Sequence, residues 1–375
     1  MMNQRERALA ALRGRPVDHV PFIARMELWH NYHRHQGTLP APYQRASLWE
    51  LQRDLGIGIM GMGAGSVSFH RLVHRGVEVV QTVEGGLTTT RYCTPYGTLT
   101  SREVLAAELK ESVGGGARVE FLFKSEADYD ALQYLIEHTD VQDNFDAFSR
   151  YVEAIGGDGL ALPQCGHLPA HQLMITYMGY ERFYLERHDH PARVEALIDA
   201  LTDQYRRVLE LAAVCPAEAV EVGGNYDEHM TPPRVFDALF APLYREAREM
   251  LSTRGKALVV HGDGEMKALL GRLMECGVEA VEALTPQPMT SIDLAALRKL
   301  WRGRVALWGG LPAVIFTAVY SDAEFEVFLE RLAADVAPGD RFILGFGDNA
   351  PTDALFERIR RVAAFWAERG RYPIA

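Results

Sequence analysis

His261 and Asp263 close the apolar run ALVVHGD with one residue between them. Alternation along a strand puts positions i and i+2 on one face, so an imidazole and a carboxylate converge on one point. Such a pair can hold a divalent cation. Zn²⁺ accepts His nitrogen and Asp or Glu oxygen, and a catalytic zinc needs three protein ligands. Glu221 in AEAVEVG and Glu282 in VEAVEAL lie inside neighbouring apolar runs and are candidates to complete the set. The same residues could instead orient one another around a substrate with no metal, because H-x-D lacks the thiolate that makes many zinc motifs specific.

Other polar residues follow further apolar runs. Arg25 and Glu27 come after VPFIA, His167 after GLALP, Asn225 and Asp227 after the Gly223-Gly224 pair, and Asp348 after RFILGFG. Together with His261, the residues Asp227, Asn225 and Arg25 are candidates for catalysis. Glu27, Trp29, His167, Tyr177, Trp308 and Asp348 are candidates for binding a substrate. Asp227 has a second reading, as a cap with Thr231 of the helix that begins near Pro232-Pro233. The cluster His30, His33 and His35 reads as a solvated stretch or a lid.

These residues need a scaffold that brings the ends of many strands together. The chain supplies a rhythm from about residue 159 onward: a short apolar run, a polar loop, then a long amphipathic helix. The runs fall at 159–163, 217–223, 257–262, 278–284, 304–310 and 341–347, with helices expected at 191–213, 231–253, 265–275, 291–299, 322–335 and 352–368. They are continuously hydrophobic, as parallel strands covered by helices are. With VPFIA they make seven, one short of an eight-stranded parallel barrel, whose active site would lie at the C-terminal ends of its strands. A doubly wound open sheet is the structural alternative, weakened by the lack of G-x-G-x-x-G after the first run. Between about 66 and 123 the pattern turns to short β-rich pieces, with Gly85-Gly86 as a hairpin tip and a second turn at 95–97. The expected architecture is α/β, a single (β/α)₈ barrel over 1–375 with a β-meander inserted after the first strand region.

Composition excludes several classes of function. The chain is 48% hydrophobic and 24% charged, with formal net charge −11, so a phosphate-backbone footprint and hence nucleic acid are not expected. No apolar run reaches membrane-spanning length, and the charged N-terminus does not read as a signal peptide, so a cytoplasmic protein without membrane association is expected. Four cysteines, far apart and without a C-x-x-C pair, read as reduced thiols.

The order of motifs resembles the uroporphyrinogen decarboxylase superfamily, which also includes corrinoid-dependent methyltransferases. The resemblance runs nearly end to end, through RERALAALRGRPVDHVPF ending at Phe22, PPRVFDALFAPLYREAREML at 232–251, RGKALVVHGDG at 254–264, LMECGVEAVEALTPQP at 273–288, ALWGGLP at 306–312 and FILGFGDNAPTDALFERI at 342–359. It implies a single (β/α)₈ barrel. True decarboxylases carry M-R-Q-A-G-R-Y at the first strand to bind the substrate's carboxylates, whereas IARMELWHNYHRH matches only at Arg25. The methyltransferase branch carries zinc on H-x-C and a later Cys; at those places this chain has His261, Asp263 and, in the apparent alignment, Phe346. An oxygen-rich set would be a harder Lewis acid, better suited to a methyl ether than to a thiol.

The resemblance therefore implies a methyltransferase that moves a methyl group from a small methylated substrate, an aromatic methyl ether among the expected donors, to a corrinoid protein. Its cofactors would be zinc or a similar divalent metal, held by His261, Asp263, Glu221 and Glu282, and cobalamin carried by the partner. The alternatives are a decarboxylase using Arg25 and Asp227 on a porphyrinogen or smaller acid, and a non-catalytic ligand-binding barrel. A homodimer is left open.

Overall fold

The structure, a computed structural model, describes residues 1–63, 65–105 and 116–374. Helix α1 (Gln4–Leu12) is started by Asn3, whose side chain accepts from the Glu6 amide while Glu6 accepts from the Asn3 amide, satisfying two orphan donors. Strand β1 (Ile23–Ala24), helices α2 (Glu27–Gln36) and α3 (Leu48–Leu55) and strand β2 (Gly58–Gly61) follow. β2 supplies the parallel strand missing from the apolar-run count. Its sequence, GIMG, has glycine where the other strands carry branched residues, because a Cβ at Gly61 would come within 2.9 Å of the Ala161 backbone on the neighbouring strand.

Next come β3 (His70–His74), β4 (Glu78–Glu84), β5 (Leu87–Thr94), β6 (Gly97–Val104) and β7 (Ala117–Glu120). β4 to β7 form a four-stranded antiparallel sheet in chain order, and Gly85 and Gly86 turn between β4 and β5 with φ of 56° and 83°. The sheet comes after β2, not directly after β1. β3 stands apart from it and pairs antiparallel with β8 (Thr139–Asp143), so the expected meander is two antiparallel units; residues 106–115 of it lie outside the described residues.

The remainder alternates. Helices α4 (Tyr129–Glu137) and α5 (Phe145–Ile155) flank β8 and lead to β9 (Gly159–Ala161), followed by α6 (Pro169–Gln172), α7 (Tyr180–Asp189) and α8 (Pro191–Val214). Then come β10 (Ala219–Gly224), α9 (Pro233–Leu239), α10 (Ala241–Ser252), β11 (Ala257–His261), α11 (Leu270–Glu275), β12 (Ala280–Leu284) and α12 (Leu294–Trp301). β13 (Ala306–Leu311), α13 (Asp322–Val336), β14 (Phe342–Phe346) and α14 (Phe356–Arg369) complete the chain. The helix expected at 231–253 divides at Phe240, where Pro242 in the first turn of α10 lacks the N–H a continuous helix would use.

Parallel pairing runs in two sets, β1-β2-β9 and β10-β11-β12-β13-β14. Isolated parallel bridges lie between them: Phe22 with Leu344 and Arg25 with Asn349 beside β1 and β14, and Gln164 with Glu221 beyond β9 and on β10. One buried cluster draws Ile23, Met60, Leu160, Ala219, Val259, Ala280, Trp308 and Ile343 from these eight strands, and α1 adds Ala8, Ala11 and Leu12. The alanines make room for Trp308, whose indole N–H donates to the Ile23 carbonyl at 2.9 Å. The opposite strand faces join a larger core with the helices. No helix among the described residues is long and apolar enough to cross a membrane.

Candidate functional site

Register brings the first pair of groups together. His261 on β11 is the direct partner of Glu282 on β12, and the imidazole Nδ1 lies 2.6 Å from Glu282 Oε2. A bulge on β10 between Glu221 and Gly224 brings Gly224 level with His261. Gly224 has φ of 120°, and a Cβ on it would lie 2.5 Å from the His261 carbonyl oxygen, so only glycine lets β10 approach. Glu221 Oε2 is 3.9 Å from His261 Nδ1, while its Oε1 accepts from Gln164 Nε2 at 2.6 Å.

The other imidazole nitrogen faces two further carboxylates. His261 Nε2 is 3.7 Å from Asp263 Oδ2 and 3.7 Å from Asp348 Oδ1. Asp348 follows β14 with φ of 124°, a conformation costly for a residue with a Cβ, and Arg25 holds it there through Nη1 at 2.5 Å. Arg25 also binds Glu27 through Nε at 2.7 Å. His261, Arg25, Glu221, Asp263 and Asp348 line one cavity of about 950 Å³, together with Gln164, His167 and Asn225.

Two trios of ligand atoms are therefore close enough for a metal: Glu221, His261 and Glu282, and His261, Asp263 and Asp348. The second fits better. Glu282 is fully buried and accepts from Nδ1, so a metal ion that replaced the Nε2 proton would be shared with Asp263 and Asp348, the carboxylate–histidine–metal arrangement. Bonds of about 2.0–2.1 Å to a tetrahedral ion place ligand atoms about 3.4 Å apart, close to the separations found. Phe346, which the resemblance aligned with the third ligand, is buried against Phe22 and Phe316; Asp348 is the residue that reaches His261.

Electrostatics follow from burial and crowding. Burial disfavours the His261 cation, but the Glu282 carboxylate and the hydrogen bonds to Asp263 and Glu282 outweigh it and raise the imidazole well above its ordinary value. Burial raises Asp348 against the pull of Arg25, whereas Asp263 is lowered despite burial because it bonds His261. Burial likewise pushes Glu221 up to about 8, with His261 opposing, and its Oε2 has no hydrogen-bond partner. His167 is pushed down to about 4 by burial and by the nearby His261, so it is neutral.

A pH dependence follows. Folded Glu221 keeps its proton to about pH 8, whereas the unfolded chain releases it near 4.5, so the unfolded state binds fewer protons in between and stability falls as pH rises across that window. His261 acts in the same direction, because the stability from its raised value is lost as pH climbs through it. The urea midpoint of chelator-treated protein is expected to fall from pH 5 to pH 8, and Glu221→Gln to flatten that fall. A midpoint that rises over this interval would contradict the assignment.

The cavity does not collect every residue singled out in the sequence. Asp227 is outside its lining and accepts from the His229 and Met230 amides in a turn of its own; it does not cap the following helix, which starts after Pro232 with no side-chain cap. Trp29 is buried, donates to the Ala354 carbonyl and stacks on Phe356; Trp308 is in the strand core. Tyr177 packs beside the core without reaching the lining, and Glu27 faces a separate cavity of about 220 Å³ with Met60 and Trp49. His33 bonds Thr38 and the Thr352 carbonyl, and His30 the Ala46 carbonyl, both on α2. Conversely, Glu103 and Arg118 from the antiparallel sheet, and Gln172, Thr176 and Gln204 from helical segments, line the cavity although nothing at strand ends pointed to them.

Comparisons with known proteins bear on the fold and the family. No curated protein sequence matches the chain. Among solved structures, a methyltransferase from Methanosarcina mazei superposes with a TM-score of 0.60 at 12% identity, covering 98% of this chain and 99% of that one, a likeness of fold. The profile of the family described as uroporphyrinogen decarboxylase (URO-D) matches residues 92–368, about three quarters of the sequence. The chain belongs to the uroporphyrinogen decarboxylase family.

Proposed function

We propose that the protein is a methyltransferase that moves a methyl group from a small methylated donor to a corrinoid protein, on a closed (β/α)₈ barrel forming one domain. Barrel closure is supported by the bridges between the two parallel sets and by the single cluster fed by all eight strands. One observation carries the functional reading: His261 Nε2, with Nδ1 tied to Glu282, faces Asp263 and Asp348 in a large cavity.

His261, Asp263 and Asp348 would hold a divalent ion, zinc or a similar one, and their hard oxygen-rich set suits polarising an ether oxygen. Cobalamin carried by the partner would supply the nucleophile for the methyl group. The residues of this chain do the rest. Glu282 keeps the His261 ring in one tautomer, and Arg25 holds Asp348 in its strained conformation. Glu221, protonated at neutral pH, can deliver its proton to the leaving oxygen as the C–O bond breaks, with Gln164 orienting its carboxyl.

A uroporphyrinogen decarboxylase reading fits less well. Both arginines in the cavity already have carboxylate partners, Arg25 with Glu27 and Asp348, and Arg118 with Glu103 at 2.5 Å, so among the described residues eight substrate carboxylates would meet no spare arginine.

The test mixes divalent-loaded protein with a corrinoid protein reduced to cob(I)alamin and a panel of methyl ethers. Donor-dependent conversion of the cob(I)alamin spectrum to that of methylcobalamin is expected, with bound metal near one equivalent and no coproporphyrinogen from uroporphyrinogen. Coproporphyrinogen formed at about 1 s⁻¹ or faster would overturn the reading.

A further inference from the structure

The cavity's walls describe the molecule that fits it. Of the benzenoid side chains, only Tyr205 lines it among the described residues, and that ring is buried with its hydroxyl toward the Gly166 carbonyl. An aromatic donor of the size of methoxybenzene would find, among the described residues, no second benzenoid ring to sandwich it. The cavity is instead edged by side-chain amides and hydroxyls, Gln164, Gln172, Gln204 and Thr176 among them, drawn from the loop after β9 and from helical segments. Two residues of the lining each carry a buried polar atom without a partner, His167 Nδ1 and Glu221 Oε2. Buried polar atoms left unpaired each cost about 1–3 kcal/mol, so such atoms in a cavity mark where a ligand's hydrogen-bonding groups belong. Gln204 adds weakly engaged capacity, since its Nε2 makes only long contacts of 3.4 and 3.5 Å to the Thr139 and Ile136 carbonyls.

Charge sets the rest. The cationic groups in the lining are ion-paired, Arg25 and Arg118 with carboxylates and His261 among four of them. Away from the His261, Asp263 and Asp348 corner, a carboxylate or phosphate would meet Glu103 and an already paired Arg118, and an ammonium would meet cations already in place. A neutral ligand avoids both conflicts.

We propose that this cavity binds a neutral, polyhydroxylated methyl ether, an O-methylated sugar or polyol, with His167 Nδ1 and Glu221 Oε2 each bonding a ligand hydroxyl or ether oxygen. The proposal rests on the methyl-transfer reading for what becomes of the ligand, but its binding step stands apart from it. His167 acts as a specificity residue: its buried, unpartnered Nδ1 calls for a hydrogen-bonding group on the ligand, which the ring carbons of methoxybenzene do not supply.

The experiment separates the two. Divalent-loaded protein is titrated by calorimetry with methyl α-glucopyranoside, 3-O-methylglucose and an O-methylinositol, and in parallel with methoxybenzene and 3-methoxyphenol. Each ligand is then offered with the cob(I)alamin-bearing corrinoid protein. At least one polyol ether is expected to bind tenfold or more tightly than either aromatic. His167→Phe is expected to weaken that binding tenfold or more, and His167→Gln, which keeps a donor and an acceptor, to restore most of it. Polyol binding without methyl transfer would retain the proposed ligand class and overturn methyl transfer from it. Tighter binding of an aromatic ether would overturn the ligand class, and its demethylation would leave the transferase reading standing. If no polyol ether binds, or His167→Phe binds it unchanged with circular dichroism matching the parent, the proposal fails.

Discussion

Replacing His261 with Ala is expected to lower methyl transfer by about 10³-fold or more and to take bound divalent metal well below stoichiometric. The imidazole is the shared member of both ligand trios, so its loss leaves no set of three. Removing one preorganised electrostatic group commonly costs about 10²–10³ in rate, and a metal ligand is at the upper end. The substitution also has a stability cost. Glu282 is fully buried and Glu221 nearly so, and truncating His261 removes the cation between them. Breaking a buried pair costs about 3–5 kcal/mol, softened as one carboxyl takes up a proton. The double change His261→Ala with Glu282→Leu removes both partners, and should regain stability without regaining activity. Turnover and metal content are read alongside the urea midpoint. Near-normal turnover by the single variant would remove His261 from its assigned place.

Arg25→Met should be the most destabilising single change outside the strand core. The Arg25 side chain is 12% exposed and bonds Glu27 at 2.7 Å and Asp348 at 2.5 Å; the Glu27 side chain is 8% exposed. Methionine preserves the apolar stem but leaves Glu27 a buried carboxylate without its cation, and frees Asp348 from its strained backbone position. A loss of about 3–5 kcal/mol is expected, roughly 4–6 °C in melting temperature for a chain this long. Burial already raises Glu27 against the pull of Arg25, so in the variant it rises further. The unfolded state then binds fewer protons over a wider interval, and the loss should grow as pH increases. Scanning calorimetry at pH 5 and pH 8 checks the sign. A variant melting within 1–2 °C of the parent at pH 8 would show that the pair contributes little.

Much of this molecule is written locally. Six of its eight parallel strands come from the apolar runs between 159 and 347, because a strand buried on both faces must be hydrophobic throughout. The helices between them follow from amphipathic spacing, and the pairing of His261 with Asp263 from strand periodicity. Strand β2 escaped that reading because close packing against β9 demands glycine at Gly61, which erases the apolar signal. Likewise, Trp308 ends a run that looks like a pocket edge, yet small alanines on neighbouring strands leave room for its ring inside the core.

The site itself was decided by long-range register. His261 meets Glu282 across 21 positions, and Arg25 meets Asp348 across 323, separations over which no periodicity operates. Only pairing of β11 with β12, and the approach of the β1 and β14 ends, makes Asp348 rather than Phe346 the neighbour of His261. The antiparallel sheet contributes Glu103 and Arg118 to the cavity through its placement in space, not through any motif. Residue types and local spacing determined that strand ends would carry imidazole and carboxylates. Which of them share a point, and which belong to turns or core, was decided by tertiary structure, because contact among distant residues depends on how sheets register and on where neighbouring side chains leave space.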